Sequence, residues 1–172
     1  MSTIQLRVAS KEDAELIADL SRQTFVETFA DANTPEDMAI FLDEQFSRKM
    51  LIDEVGSPQT YFFLAMDGEE AVGYLKLRDG VSKKEFNQKT SIEIARLYAV
   101  KSAIGKGIGK MLMQKAIDIA LEMHRELIWL GVWENNHRAI EFYHKWGFEK
   151  FAEHRFILGN DVQTDWLMWK VL

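Results

Sequence analysis

The chain has no cysteine among its 172 residues. That excludes disulfides, thiolate zinc sites and a cysteine nucleophile, and it matches a reducing, cytoplasmic setting. Proline occurs only at Pro35 and Pro58, and no repeat, low-complexity tract or linker interrupts the sequence. Residues 1–172 therefore read as one domain. No apolar run approaches the roughly 20 residues of a membrane span. The opening MSTIQLRVASKEDAEL lacks a basic stretch followed by an apolar one, so neither a membrane partner nor a secretory leader is expected. Positive charge is in deficit: 21 Lys and Arg against 27 Asp and Glu leave −6. This balance argues against general nucleic-acid binding and favours cationic partners. His137 and His144 are seven apart and no H-E-x-x-H occurs, so no metal site is expected.

What is present is enough apolar residue, 47%, to build a core that buries roughly two-thirds of the unfolded surface. Ile4 to Val8 alternates as a strand. Ser10 and Asp13 open a helix, with Leu16, Ile17 and Leu20 on its apolar stripe, running to about Phe29. Thr34-Pro35-Glu36-Asp37 starts a second helix, and a third covers Ser47 to Val55. Tyr61 to Met66, the Asp67-Gly68 turn and Ala71 to Leu77 form a hairpin. Residues 79–89 read as a loop, and Ser91 to Val100 as a central strand. A glycine-rich loop then opens a helix bearing Leu112, Ala116, Ile119, Ala120 and Met123. Leu127 to Trp133 is a strand interrupted by Gly131. Asn135 or Asn136 caps a helix with Ala139, Tyr143 and Trp146, which Gly147 stops. Phe148 to Phe156 and Gln163 to Val171 close the chain as strands. This order predicts a mixed α/β sheet with a parallel pair flanking the glycine loop.

That loop, Gly105-x-Gly107-x-Gly109, is the strongest local signal. Glycines let the backbone turn tightly and approach a ligand, and free N–H groups at a helix start hold anions. Lys106 and Lys110 add charge. A phosphate or pyrophosphate is the natural guest; the alternative is a glycine turn that binds nothing. A P-loop is excluded, because with Gly109-Lys110 aligned its first glycine falls on Ile104 and its hydroxyl on Met111. A dinucleotide fingerprint fails on Lys110 or Leu112.

Two motifs identify a resemblance. Ile104-Gly105-Lys106-Gly107-Ile108-Gly109 is similar to the (Gln/Arg)-x-x-Gly-x-(Gly/Ala) loop of the GNAT N-acetyltransferases, with Ile104 in place of Gln or Arg. Asn136-His137-Arg138-Ala139-Ile140-Glu141-Phe142-Tyr143-His144-Lys145-Trp146-Gly147-Phe148 fits their second signature without a gap. Thr24-Phe25, Thr28-Phe29, residues 34–38, residues 128–134 and Gln163-Thr164-Asp165 resemble the bacterial PaiA-type polyamine acetyltransferases. The resemblance implies the GNAT fold: a mostly antiparallel sheet with a parallel, splayed strand pair at the cofactor site, flanked by helices. It implies acetyl-CoA as donor and a small cationic amine, spermidine or spermine foremost, as acceptor. The assembly it allows includes a homodimer.

It also assigns residues. Gly105, Lys106, Gly107, Ile108, Gly109 and Lys110 would hold the pyrophosphate. The backbone of Leu97, Tyr98, Ala99 and Val100 would pair with the pantetheine arm. Asn136 would lie against that arm as well as cap its helix. Tyr143, whose other reading is core packing, would point its hydroxyl at the cofactor sulfur and protonate the departing thiolate. Glu93 is an acid inside an apolar strand; it reads either as general base or amine binder, or as an outward carboxylate that Arg96 could neutralise. A backbone N–H of Tyr98 to Val100 would hold the charge developing on the carbonyl oxygen. With no cysteine, direct transfer in a ternary complex is favoured. The rivals are the same chemistry on another amine and a non-catalytic acetyl-CoA sensor. Glu27, Asp31, Glu36, Asp37, Asp43 and Glu44 read as solvated helix faces or as an acidic rim that gathers a polycation.

Overall fold

The computed structural model describes residues 3–172. Strand β1 (Ile4–Val8) leads into helices α1 (Ala14–Phe29), α2 (Pro35–Glu44) and α3 (Arg48–Glu54). Then come β2 (Thr60–Asp67), β3 (Glu70–Asp79), β4 (Ser91–Ala99), α4 (Ile108–Glu122), β5 (Leu127–Trp133), α5 (His137–Lys145), β6 (Glu149–Leu158) and β7 (Asp161–Val171). The helix starts are those the side chains dictate. Thr34 accepts from the Asp37 N–H with Pro35 at the first helical position, and Ser47 accepts from Met50 N–H. Asp13 accepts from the Ser10 N–H at 2.9 Å and is gripped by Arg7. The loop expected at 79–89 contains a short turn of 3₁₀ helix, Lys84–Phe86, that buries Phe86.

All seven strands join one sheet in the order β1-β2-β3-β4-β5-β7-β6. Only β4 and β5 run parallel; every other neighbouring pair is antiparallel. The mixed, mostly antiparallel sheet with one parallel pair is the expected fold class. Because side chains alternate along a strand, Ile128, Leu130 and Val132 face one way, packing with Leu112, Met113 and Ala116 of α4. Trp129 faces the other way and packs with Phe86 and Leu167. A separate aromatic cluster, Phe25, Phe41 and Phe46 with Leu158, joins α1 and α2 to β6.

The parallel pairing is short. It runs from Ser91 opposite Leu127 to Ile94 opposite Leu130 and then stops. Beyond it, β4 stays with β3 as far as Ala99 opposite Gly73, while β5 stays with β7 as far as Trp133 opposite Asp165. A bulge marks the parting: Leu77 pairs with Ile94 and Lys76 with Arg96, leaving Ala95 as the extra residue. A bulge bends its strand and raises the local twist, so the two strands diverge and a wedge opens between them.

Candidate active site

The wedge is the floor of a cleft of about 980 Å³. Its walls are the splayed part of β4, the loop before α4, the first turns of α5 and, beyond the wedge, the aromatic side chains of α1. Leu97, Tyr98 and Ala99 line it, and on the side facing β5 their backbone has no strand partner. Val100 does not. Its side chain is buried, and its N–H donates to the Val72 carbonyl at 2.9 Å. N–H directions alternate along a strand, so Tyr98 points its N–H toward β3 as Val100 does, and the oxyanion donor expected from residues 98–100 is narrowed to Ala99.

The glycine loop holds two left-handed residues, Gly105 (φ +89) and Gly107 (φ +82). A Cβ on either would meet nothing within 4 Å, so the backbone borders open space. Gly107 caps α4, and the first helical bond is donated by Met111 N–H to the Gly107 carbonyl at 3.1 Å. The N–H groups of Ile108, Gly109 and Lys110 precede it and have no intrahelical acceptor. Gly109 differs: a Cβ there would touch Phe142 at an ordinary 3.6 Å. Gly105, Gly107, Ile108, Gly109 and Lys110 line the cleft, joined by Arg138 and Lys145. Lys106 is exposed and stands outside its wall. Ile104, in place of the usual polar residue, lines the cleft with 42% of its surface exposed.

From the α5 side come Asn136 and Tyr143. The Asn136 side chain accepts from Ala139 N–H at 3.3 Å, so it does cap the helix while facing the cleft. Tyr143 packs its ring on Phe142 and Phe148, and burial alone pushes its phenol up to about 12. Burial likewise holds the Tyr98 phenol far above its ordinary range.

Glu93 is not brought to this cleft. Its carboxylate faces β3, where Arg78 grips it at 2.6 and 2.7 Å, and it lies outside the cleft lining. A charge buried in an apolar strand is here neutralised by a cross-strand arginine, so the base expected at Glu93 is absent from the cleft wall. Arg96 is not its partner either. That guanidinium makes a two-bond fork with Glu54 at 2.7 and 2.9 Å, and Lys76 joins them at 3.2 Å. Of the two readings of the acids on the first two helices, the structure fits the solvated faces and not the rim. None of its six members lines the cleft; Glu27 accepts from Lys101 N–H and Asp37 from Asn160 N–H. The carboxylate that does line the cleft is Asp165 on β7. Burial raises its pKa above the usual carboxylate value, partly offset by nearby His154. In sequence it ends a polar run at the start of the last strand, and only its place in the Gln163-Thr164-Asp165 segment set it apart.

Residues 17–148 match the acetyltransferase (GNAT) family. The chain belongs to that family. It is an N-acetyltransferase with acetyl-CoA as acyl donor. An uncharacterised N-acetyltransferase of Lactobacillus delbrueckii subsp. lactis is 42% identical over 168 residues, covering 97% of this chain and 96% of the other. The spermidine N(1)-acetyltransferase of Thermoplasma acidophilum is 26% identical over 151 residues, covering 86% and 89%. Among solved structures, the PaiA N-acetyltransferase of Thermoplasma acidophilum, in complex with coenzyme A, has a TM-score of 0.77 over 99% of both chains at 23% identity. This likeness speaks for the shared fold. The donor fits the cleft on this chain's own geometry: open space beside Gly105 and Gly107, unpaired N–H groups at the start of α4, and an unpaired strand edge on β4. Among the described residues, no helix is long and apolar enough to cross a membrane.

Proposed function

We propose that this cleft transfers acetyl from acetyl-CoA to a primary amine, a polyamine foremost, by direct attack in a ternary complex. The observation that carries the reading is the wedge itself, which joins the glycine loop on one side to Asp165 and the α1 aromatic side chains on the other. The N–H groups at Gly107 to Lys110 hold the pyrophosphate, with Lys110, Arg138 and Lys145 gathering negative charge at the mouth and Lys106 adding to it from outside. The free edge of Leu97 to Ala99 aligns the pantetheine arm as a further strand would. Asn136 flanks it.

An alkylamine with a pKa near 10 is only about one part in a thousand neutral at pH 7. The site must therefore strip a proton before attack. The Ala99 N–H stabilises the carbonyl oxygen as charge develops on it. Tyr143, protonated at any physiological pH, donates to the leaving sulfur. An ordinary thiol has a pKa near 8.5, so full transfer from a phenol near 12 would be uphill in water. The apolar wall that raises the phenol raises a buried thiol too and narrows that gap.

A polyamine acceptor is supported by the spermidine-named relative and by the −6 charge. Asp165 can take one ammonium, and Phe25, Phe29 and Trp133 offer faces for a second. A second reading, an amine with an apolar arm, is favoured by Asp165 being the sole carboxylate lining the cleft among the described residues. Comparing kcat/KM for spermidine with that for phenethylamine and for a monoamine of spermidine's length separates the two. A higher value for spermidine supports the polyamine; a higher value for either monoamine moves the assignment to the apolar-armed amine.

A further inference from the structure

Gly131 lies in the middle of β5 between Leu130 and Val132, both buried, yet it is itself exposed. Its φ is not positive, so its backbone suits any residue. Packing does not require glycine there either, since a Cβ would meet only Leu167 at 3.6 Å and the Asp165 Oδ2 at 3.9 Å, both ordinary contacts. What a side chain at 131 would occupy is the cleft. This position is also the first on β5 after pairing with β4 ends, at Ile94 opposite Leu130. It is thus where the wedge opens onto the sheet face that carries Trp133 and Asp165, which are direct partners across β5 and β7.

Glu93 shares that face of the sheet but is held by Arg78 outside the cleft lining, which leaves Asp165 as the acid in the cleft. The charged or titratable groups around it are His154, its register partner on β6, Tyr98 on β4, Tyr143 on α5 and Arg96 on β4, already committed to Glu54. No other carboxylate lines the cleft among the described residues. We propose that Asp165 takes the proton from the acceptor amine, and that residue 131 is glycine because the amine passes over it to reach the thioester. The inference rests on the acetyltransfer reading above and names the catalytic base of that same site.

The step balances. The bound ammonium gives one proton to the Asp165 carboxylate and becomes a neutral amine. Its nitrogen lone pair forms the C–N bond while the C–S bond breaks. The second amine proton ends on the sulfur, giving CoA thiol and the N-acetyl amine. Asp165 then returns its proton to solvent past the exposed His154. A carboxylate with a pKa above its usual value is better matched to this task than an ordinary one.

The test compares Asp165→Asn, Gly131→Val and the parent enzyme, with two acceptors: a strongly basic alkylamine and trifluoroethylamine, a weakly basic amine already neutral at pH 7. Asp165→Asn should keep its acetyl-CoA affinity and lose about 100-fold or more in kcat/KM for the alkylamine. The loss should be much smaller with trifluoroethylamine, and raising the pH should restore part of the alkylamine rate. Gly131→Val should raise the amine KM at least tenfold with acetyl-CoA affinity unchanged. If Asp165→Asn retains alkylamine turnover, or loses both amines equally, Asp165 is not the base. If Gly131→Val leaves the amine KM unmoved, the path over residue 131 is wrong. Should Asp165→Asn fail to bind acetyl-CoA, Asp165→Glu replaces it: retained pH-dependent turnover supports the proposal, and a pH-independent parent kcat/KM overturns it. If the parent itself releases no thiol with any amine, the acetyltransfer reading has failed, and this inference with it.

Discussion

At Tyr143 a single oxygen separates a core residue from a catalytic one. Its ring packs on Phe142 and Phe148 and phenylalanine would keep those contacts. Tyr143→Phe should therefore fold and bind acetyl-CoA as the parent does, while kcat falls by about 10²–10⁴-fold, the usual worth of a positioned proton donor. Unchanged kcat in stopped-time thiol-release assays would return Tyr143 to the core. Asp165 makes the opposite kind of prediction, one about stability. Its folded pKa is raised, chiefly by burial, so the charged form is destabilised in the folded protein. That cost grows as pH rises above the unfolded value of about 4 and disappears below it, where both states are protonated. Asp165→Asn should thus be at least as stable as the parent at pH 7, with any advantage shrinking as the pH falls. Urea denaturation at the two pH values measures it, and a variant less stable at pH 7 contradicts the account.

The elements carry the geometry that places these residues. The glycine loop was legible because Gly105 and Gly107 sit between an apolar strand and an amphipathic helix, a purely local pattern. The splay was not. It depends on where β4 stops pairing with β5 and on the bulge at Ala95, both set by long-range register. Of the two readings of Glu93 the structure fits the paired carboxylate, and its partner was not legible because Arg78 lies fifteen residues away on the neighbouring strand. The loop is tested at Gly107, whose missing Cβ faces open cleft, and not at Gly109, whose Cβ would face Phe142. Gly107→Val should weaken acetyl-CoA binding by tenfold or more, about 1.4 kcal/mol. It also costs roughly 1–2 kcal/mol of stability from the left-handed backbone. Calorimetry showing unchanged affinity would place the ligand elsewhere. The ion cluster joining α3, β3 and β4 is a second such device. Burial alone would raise the Glu54 carboxyl, but Arg96 and Lys76 outweigh it and hold it below the ordinary range. Its stabilisation is complete above the unfolded carboxylate value and is lost as pH falls through the lower folded one. Glu54→Ala leaves the buried Lys76 and the largely buried Arg96 unpaired and should cost about 3 kcal/mol at pH 7; a loss under about 1 kcal/mol by denaturation would show that the cluster is solvated and weak.

Over the whole molecule, charge is distributed differently from what its total suggests. The −6 balance pointed to an acidic rim, yet the acids of α1 and α2 lie outside the cleft while Lys110, Arg138 and Lys145 line it. Composition reports a sum, and only the fold assigns each charge to a face. Surface charges are screened over about 8–10 Å at moderate ionic strength, so added salt should raise the KM for acetyl-CoA more than the KM for the amine. The reverse order would restore the acidic rim as the main electrostatic feature. The central claim is that the wedge between β4 and β5 delivers acetyl from acetyl-CoA to an amine. It is tested most directly by following thiol release and amine mass together, with acetyl-CoA and a panel of spermidine, spermine, phenethylamine and simple monoamines. The account predicts equimolar CoA thiol and singly acetylated amine from at least one of them, with both products falling together in Gly107→Val at subsaturating acetyl-CoA. Tight acetyl-CoA binding by the parent with neither product from any amine would contradict it.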